Sequence, residues 1–210
     1  MATAPIGNIR PAATGNDLLL QETNHRCSND LQLVVSLLAL QSRRAANPEV
    51  AQALNDAMER VAVLARARRA AHGTEPQGLN AALRQVCEAL HAQAEPRSIL
   101  VAFQAGDGLD GLCDASVTTL ALVVNELATN AIKHAFAEGT AGNIRVSVSA
   151  SDRNVVVIVD YDGLPFPEPR SGASGMGMGL ARRMMASIDG LFIPPGADSK
   201  IFELRTPVGH

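Results

Sequence analysis

The 210-residue chain contains no tryptophan and one tyrosine, which excludes any motif built on tryptophan. Cysteine is also scarce. The three cysteines, Cys27, Cys87 and Cys113, are odd in number and form no C-x-x-C pair. This usage predicts reduced thiols at core or boundary positions, and it excludes a disulfide framework and a cysteine-based metal site.

A strong charge of either sign is missing as well. The formal net charge is −3, and the arginines are dispersed except for Arg66, Arg68 and Arg69, so we expect no nucleic-acid partner. The longest apolar runs, such as residues 155–159, have strand length and fall far short of the roughly 20 residues that a membrane helix needs. No signal-peptide pattern opens the chain, and we therefore expect a cytoplasmic protein without a membrane partner.

The N-terminal third of the chain predicts a helical hairpin over residues 17–73. Residues 1–16 are rich in helix breakers and are expected to form a disordered leader. Two helices, from Leu18 to about Ala45 and from Pro48 to about Ala71, each carry an apolar stripe at helical spacing. The stripes comprise Leu31, Val34, Val35, Leu38 and Ala45 in the first helix and Val50, Leu54, Ala57, Val61 and Leu64 in the second.

One hairpin has a single seam, and the two stripes are wider than that seam. A second copy of the chain would cover them, which predicts a homodimer held by a four-helix bundle. The alternative is that the hairpin packs onto the C-terminal part of its own chain.

Residues 78–207 have a mixed pattern. Helices are predicted from Leu79 to Ala94, Asp114 to Ala137 and Met176 to Ile188, and strands over residues 98–104, 142–151, 155–160, 191–193 and 200–206. Helices segregated against a mostly antiparallel sheet indicate an α/β sandwich, so the fold class is α+β.

The helix after Asp114 carries the chain's strongest chemical signal. Glu126 and Asn130 are four residues apart, which aims both side chains at one point and suits a hydrated Mg²⁺ that carries a nucleotide. His25 lies on the first helix, opposite its apolar stripe. An exposed imidazole with an ordinary pKa of about 6.5 is a nucleophile at neutral pH.

The two segments together resemble bacterial two-component histidine kinases. Residues 24–32 match the acceptor pattern His-Arg-x-x-Asn-x-Leu-Gln of one subfamily, and residues 125–136 match the N box. The resemblance implies a dimerisation and phosphoacceptor hairpin, followed by the ATPase fold of the Bergerat type shared with gyrase-type ATPases and the Hsp90 group.

The resemblance also implies residue roles. His25 would accept the phosphoryl group, and Asn130 would hold Mg²⁺. Lys133 and His134 would lie beside the phosphates of ATP. Glu126 would contact a metal-bound water or act as the base, although Glu22, one turn before His25, is an equally possible base.

Two glycine motifs complete the expected nucleotide site. The run that contains Gly175, Gly177, Gly179 and Leu180 resembles the G2 box, in which glycines let the backbone approach phosphates at a helix N-terminus.

The adenine-reading G1 motif, Asp-x-Gly-x-Gly in the family, departs from that pattern. Asp162 and Gly163 are present, but Tyr161 stands where the first aspartate is expected. A one-residue bulge would bring Asp160 into the pocket instead. The Trp-x-Glu signature of the HWE branch is missing, although its N-box histidine is present as His134.

We therefore expect a kinase core, without a sensor of its own, that autophosphorylates His25 from ATP. Its partners would be a response-regulator receiver domain and a separate sensor protein. The main alternative is a histidine phosphotransferase with a degenerate ATPase-like domain. A third possibility is a binding module of the anti-sigma type, against which His25 on a dedicated hairpin argues.

Overall fold

The computed structural model describes residues 15–72, 78–109, 111–151, 153–165, 176–196 and 199–208. Helix α1 (Gly15–Arg44) and helix α2 (Pro48–His72) form the predicted hairpin. Asn47 caps α2, because its side-chain oxygen accepts from the Glu49 N–H at 2.7 Å and Pro48 occupies the first helical position. The helix begins at Gly15, slightly inside the predicted leader, whose residues 1–14 lie outside the described part.

Helix α1 carries two apolar faces. One is half-buried against α2 and includes Leu31, Val35 and Leu38. The other is exposed and consists of Leu33, Val34, Leu37 and Leu40, with 41% to 61% of each side chain accessible. Val34 and Val50 of the predicted apolar stripes are exposed, as expected for stripes that are wider than the seam of one hairpin. The hairpin therefore leaves one apolar face of α1 uncovered.

The C-terminal part contains a five-stranded sheet in the order β1-β2-β3-β5-β4. The strands are β1 (Ile99–Gln104), β2 (Gly142–Ser151), β3 (Asn154–Tyr161), β4 (Leu191–Ile193) and β5 (Ile201–Pro207). Strand β1 pairs with β2 in parallel, and every other pair is antiparallel.

Helices α3 (Gly78–Ala94), α4 (Asp114–His134) and α5 (Met176–Ala186) accompany the sheet. Burial alternates along β3 and β5, so one sheet face joins the aliphatic core shared with these helices while the other face is more accessible. A 3₁₀ turn at Glu95–Arg97, which the sequence pattern did not predict, leads into β1. The helices and the mostly antiparallel sheet make the two layers of the predicted sandwich.

The hairpin also packs on the C-terminal part of the same chain. Val63 and Ala65 of α2 are buried, and Val63 belongs to the core cluster of the sandwich. Helix α2 contacts both α3 and α4. The structure thus contains the intrachain packing that we stated as the alternative to a dimer, and it leaves the exposed face of α1 available.

Among the described residues, α4 alone is long and apolar enough to cross a membrane by length and composition. Within its most apolar window, 72% of the residues are buried inside the protein. Packing against the sheet and the neighbouring helices accounts for this apolar character.

Candidate functional site

The candidate site is organised along the last three turns of α4. Glu126 is buried, Asn130 and Lys133 are half-buried, and His134 is exposed. Val117, Val124, Ala128 and Ala131 lie on the opposite side of the helix and are buried in the core. The apolar spacing of the sequence therefore orients the polar residues of the N box away from the sheet.

Glu126 forms an ion pair with α2. The Arg60 guanidinium donates from Nε to Glu126 Oε1 at 2.7 Å and from its terminal nitrogen to Oε2 at 2.8 Å. The Glu126 side chain is only 8% exposed, whereas that of Arg60 is 33% exposed. The hydrogen bonds to Glu126 outweigh the opposing effect of burial and raise the pKa of Arg60 above its ordinary value.

Lys133 forms a second ion pair with α2. Its Nζ donates to Asp56 Oδ1 at 2.7 Å, and Gln52 donates to the same oxygen at 2.8 Å. Burial raises the pKa of Asp56, but the hydrogen bonds from Lys133 and Gln52 and the nearby positive charges outweigh it, so the pKa lies below its usual 3.8.

We call the four residues Asp56, Arg60, Glu126 and Lys133 the clasp. Asp56 and Arg60 are one helical turn apart on α2, and Glu126 and Lys133 are two turns apart on α4, on either side of Asn130. We did not predict a site role for Asp56 or Arg60. Their i, i+4 spacing of opposite charges was visible in the sequence, but it did not indicate a partner in another helix.

His25 lies on α1, as predicted, and its side chain is outside the described residues. Helix α2, rather than α1, forms the main contact of the hairpin with α4. The described residues therefore do not show His25 together with the N box.

The end of β3 does not match the predicted adenine-reading site. Tyr161 is buried in the core, where its ring stacks on Phe202 with centroids 6.3 Å apart. The β2–β3 register is unbroken from Ser151 to Ile144, so the bulge that we predicted near Asp160 is absent. Asp160 consequently lies on the sheet face opposite to Tyr161. The prediction that Asp160 enters the pocket is wrong because it depended on that bulge.

Asp162 and Gly163 have structural partners. The Asp162 carboxylate accepts from the Asn143 backbone N–H and from its side-chain amide, each at 2.7 Å. Burial opposes these hydrogen bonds, but together with the nearby Lys200 charge they lower the pKa of Asp162. Gly163 lies against the end of α4, where a Cβ would stand 2.4 Å from the Ala135 carbonyl oxygen. This close approach explains the glycine.

The predicted G2 segment lies at the start of α5. Gly175 is outside the described residues, whereas Gly177, Gly179 and Leu180 lie within the helix, which begins at Met176. The predicted helix start at Met176 is confirmed, and Gly177 and Gly179 therefore belong to the first turn of α5. Leu180 lines a cavity of about 190 Å³ between α2, α4 and α5, together with Arg60 and Glu126.

The two ends of the expected nucleotide site fit ATP unequally. Asn130, Lys133 and His134 supply an amide oxygen, a cation and an imidazole along one helix, which suits Mg²⁺ and phosphate groups. Of the two acidic side chains in residues 153–165, Asp160 faces away and Asp162 is bound to Asn143. Within that segment no carboxylate is placed to read the adenine amino group.

Two family models match the chain. One, described as histidine kinase, matches residues 22–94, and the other, described as histidine kinase-, DNA gyrase B-, and HSP90-like ATPase, matches residues 115–207. The second match implies ATP binding. The predicted fold class, a helical hairpin followed by a sandwich of this ATPase type, is confirmed.

Curated relatives include the sensor histidine kinase PdtaS of Mycolicibacterium smegmatis, 30% identical over 95% of this chain and 41% of the relative. The blue-light-activated histidine kinase 1 of Erythrobacter litoralis is 29% identical over 69% of this chain and 39% of the relative. The chain thus spans less than half the length of either relative.

The solved structure of the Erythrobacter litoralis EL346 blue-light activated histidine kinase has the same fold. It superposes with a TM-score of 0.67 at 20% identity, over 95% of this chain and 62% of that structure. Together with the family matches and the N box on α4, the curated relatives show that the chain belongs to the histidine kinases and carries a gyrase- and HSP90-like ATPase domain.

Proposed function

We propose that this chain is the catalytic core of a two-component histidine kinase, which autophosphorylates His25 from ATP and passes the phosphoryl group to a response-regulator aspartate. The observation that carries the proposal is the N box on α4, which lies against the hairpin of the same chain. A pure phosphotransferase has no chemical need for this set of residues.

The proposed step is a displacement at phosphorus. A nitrogen of His25 attacks the γ-phosphorus of ATP, a P–N bond forms, the P–O bond to ADP breaks, and ADP leaves. Asn130 would hold Mg²⁺, while Lys133 and His134 would offset charge on the phosphate oxygens. Glu126 would bind a metal-coordinated water or accept the imidazole proton.

A histidine phosphotransferase remains the second candidate, and one structural observation favours it. Tyr161 fills the core at the position where the family has its adenine-reading aspartate, and neither Asp160 nor Asp162 replaces that carboxylate. In this alternative, His25 would receive phosphate only from a phosphorylated receiver domain.

Labelling of His25 tests both candidates. A kinase core takes label from γ-labelled ATP with Mg²⁺ in an acid-labile and base-stable form, and His25→Ala takes none. Label that persists in His25→Ala would refute this assignment. Label from a phosphorylated receiver, together with none from ATP, would identify the phosphotransferase.

We also propose that the core is a homodimer through the hairpin. The uncovered face of α1, which includes Leu33, Leu37 and Leu40, is a continuous apolar strip that a second hairpin would bury. Leu37→Glu should yield soluble monomers in sedimentation velocity, whereas Leu38→Glu should unfold the hairpin because Leu38 faces α2. A wild-type monomer at micromolar concentration would contradict the proposal.

A further inference from the structure

We propose that the clasp is an autoinhibitory contact: it holds the hairpin closed on the N box, and nucleotide binding requires it to open. This inference rests on the function proposed above, because it assumes that Glu126 and Lys133 serve the nucleotide.

The clasp engages two N-box residues that would serve the nucleotide, Glu126 and Lys133. The Arg60 fork contacts both oxygens of Glu126, and Asp56 offsets the charge of Lys133. A Glu126 whose two oxygens accept from a guanidinium has two of its about four lone-pair sites occupied, and fewer remain for a metal-coordinated water. A Lys133 whose charge is offset by a carboxylate attracts phosphate less strongly.

Each charged group of the clasp on α4 is already paired with an opposite charge from α2. When α2 leaves, Asp56 and Arg60 leave together, and the net charge of the remaining groups on α4 does not change. Lys133 then becomes free to pair with phosphate, and Glu126 becomes free to bind a metal-coordinated water.

Helix α2 is held on the sandwich by an incompletely filled interface. Cavities of about 200 Å³ and about 190 Å³ lie along the contact of α2 with the sandwich, so this interface has fewer van der Waals contacts than a filled core. The Asp56 and Lys133 side chains are 34% and 30% exposed, within reach of solvent and salt.

The equilibrium between the closed and the open clasp has a measurable consequence. If only a fraction of molecules has an open clasp, the apparent nucleotide affinity is reduced by that fraction. Removing clasp contacts from the α2 side should therefore tighten binding and, without any nucleotide, should make α2 open more often.

The experiment uses the double variant Asp56→Asn/Arg60→Gln, which leaves every proposed nucleotide-binding residue intact. Asp56→Asn alone is the second variant, because it keeps Arg60 as the partner of the buried Glu126 carboxylate. It therefore gives a result even if the double variant misfolds. Glu59→Gln is the matched control, because Glu59 lies on the same face of the interface but accepts from Gln93 of α3 rather than from the N box.

Two readouts are compared. Amide hydrogen exchange in α2, measured without nucleotide, should rise about fivefold or more in the double variant, and the dissociation constant for ADP with Mg²⁺ in calorimetry should fall by about the same factor. Asp56→Asn should shift both in the same direction by less, and Glu59→Gln should match the wild type.

The outcomes separate the inference from the proposed function. Binding of ADP with unchanged or weaker affinity in both Asp56 variants would leave the kinase proposal standing and would overturn the autoinhibitory role. Failure of every form to bind ADP at millimolar concentration would overturn the use of nucleotide itself, and the inference with it.

Discussion

The two ends of the expected nucleotide site lie in one domain, yet their environments differ sharply. At the α4 end, Asn130, Lys133 and His134 remain at least partly accessible, and Asp56 of α2 pairs with Lys133. At the β3 end, Tyr161 is buried with Phe202, and the nearby acidic groups face away or are already bound. The α4 end, which would hold the phosphates and which we call the phosphate end, thus carries groups suited to ionic ligands. The β3 end, where the adenine base would bind and which we call the base end, is built as hydrophobic core.

The two ends of the site favour different functions: the α4 end favours the kinase, and the β3 end favours the phosphotransferase. Charge stabilisation in phosphoryl transfer depends on the metal and phosphate ligands, whereas selection of adenine depends on one hydrogen-bonding group. A chain that keeps the first and replaces the second can still bind the triphosphate part of a nucleotide.

The largest expected effect is on stability at the base end. From the sequence alone, Tyr161→Asp should tighten nucleotide binding, because it restores the family's carboxylate. The structure changes this expectation, since a carboxylate at a buried core position loses the aromatic packing and is poorly solvated. We expect Tyr161→Asp to lower the free energy of unfolding by about 3–5 kcal/mol in urea denaturation.

Tyr161→Phe is the matched control, because it retains the ring, and we expect it to cost only about 1 kcal/mol. A folded Tyr161→Asp protein of wild-type stability would show that Tyr161 borders a solvated pocket rather than the core.

The next effect is on binding at the phosphate end. Asn130→Ala removes the proposed metal ligand and should weaken Mg²⁺-dependent ATP binding roughly 100-fold, while Asn130→Asp keeps an oxygen ligand and should retain much of it. Transfer from a phosphorylated receiver onto His25 should persist in both variants, because the receiver supplies its own metal. Equal ATP binding by the wild type and Asn130→Ala would exclude Asn130 as a ligand.

A smaller effect is expected where the two ends meet. In Gly163→Ala the new Cβ would lie 2.4 Å from the Ala135 carbonyl oxygen and 2.9 Å from the Phe136 ring, so the backbone must shift. We expect a loss of about 1–3 kcal/mol in the free energy of unfolding. Gly196→Ala has no neighbour within 4 Å of the new Cβ and serves as the control. Equal melting temperatures of Gly163→Ala and Gly196→Ala would refute the close packing at Gly163.

The smallest effect is the pH dependence of the clasp. The pKa of Asp56 in the folded protein lies below its usual 3.8, so its contribution to stability is complete above that value and is lost as the pH falls through the lowered folded pKa. The stability difference between wild type and Asp56→Asn should therefore stay constant from about pH 5 to 8 and shrink only in stronger acid. Urea denaturation across pH measures it, and a decline near neutral pH would exclude Asp56 as its source.

Much of the fold was predictable because the local patterns are strong. Strand β2 has the bounds that the alternation predicted, and α4 begins at the predicted Asp114. The ends of α4 and α5 were less predictable, since a helix end depends on tertiary partners. Arg97, for example, donates to the Ile132 and Phe136 carbonyls, just where α4 stops.

The site was predictable only where its residues share one helix. The spacing of Glu126, Asn130 and Lys133 within α4 indicated a cluster directly. The partners of that cluster were not predictable, because Arg60 and Glu126 are 66 positions apart and meet only through the packing of α2 on the sandwich. The expected bulge at Asp160 failed for a similar reason: strand register follows the whole β2–β3 ladder rather than one residue.

The most direct test of the central claim is a calorimetric titration of the wild-type chain with ATP in the presence and absence of Mg²⁺. The account predicts binding that depends on Mg²⁺ and is lost in Asn130→Ala, with His25 labelled under the same conditions. An absence of binding at millimolar ATP, in a protein that still accepts phosphate from a receiver, would contradict the kinase assignment and establish the phosphotransferase.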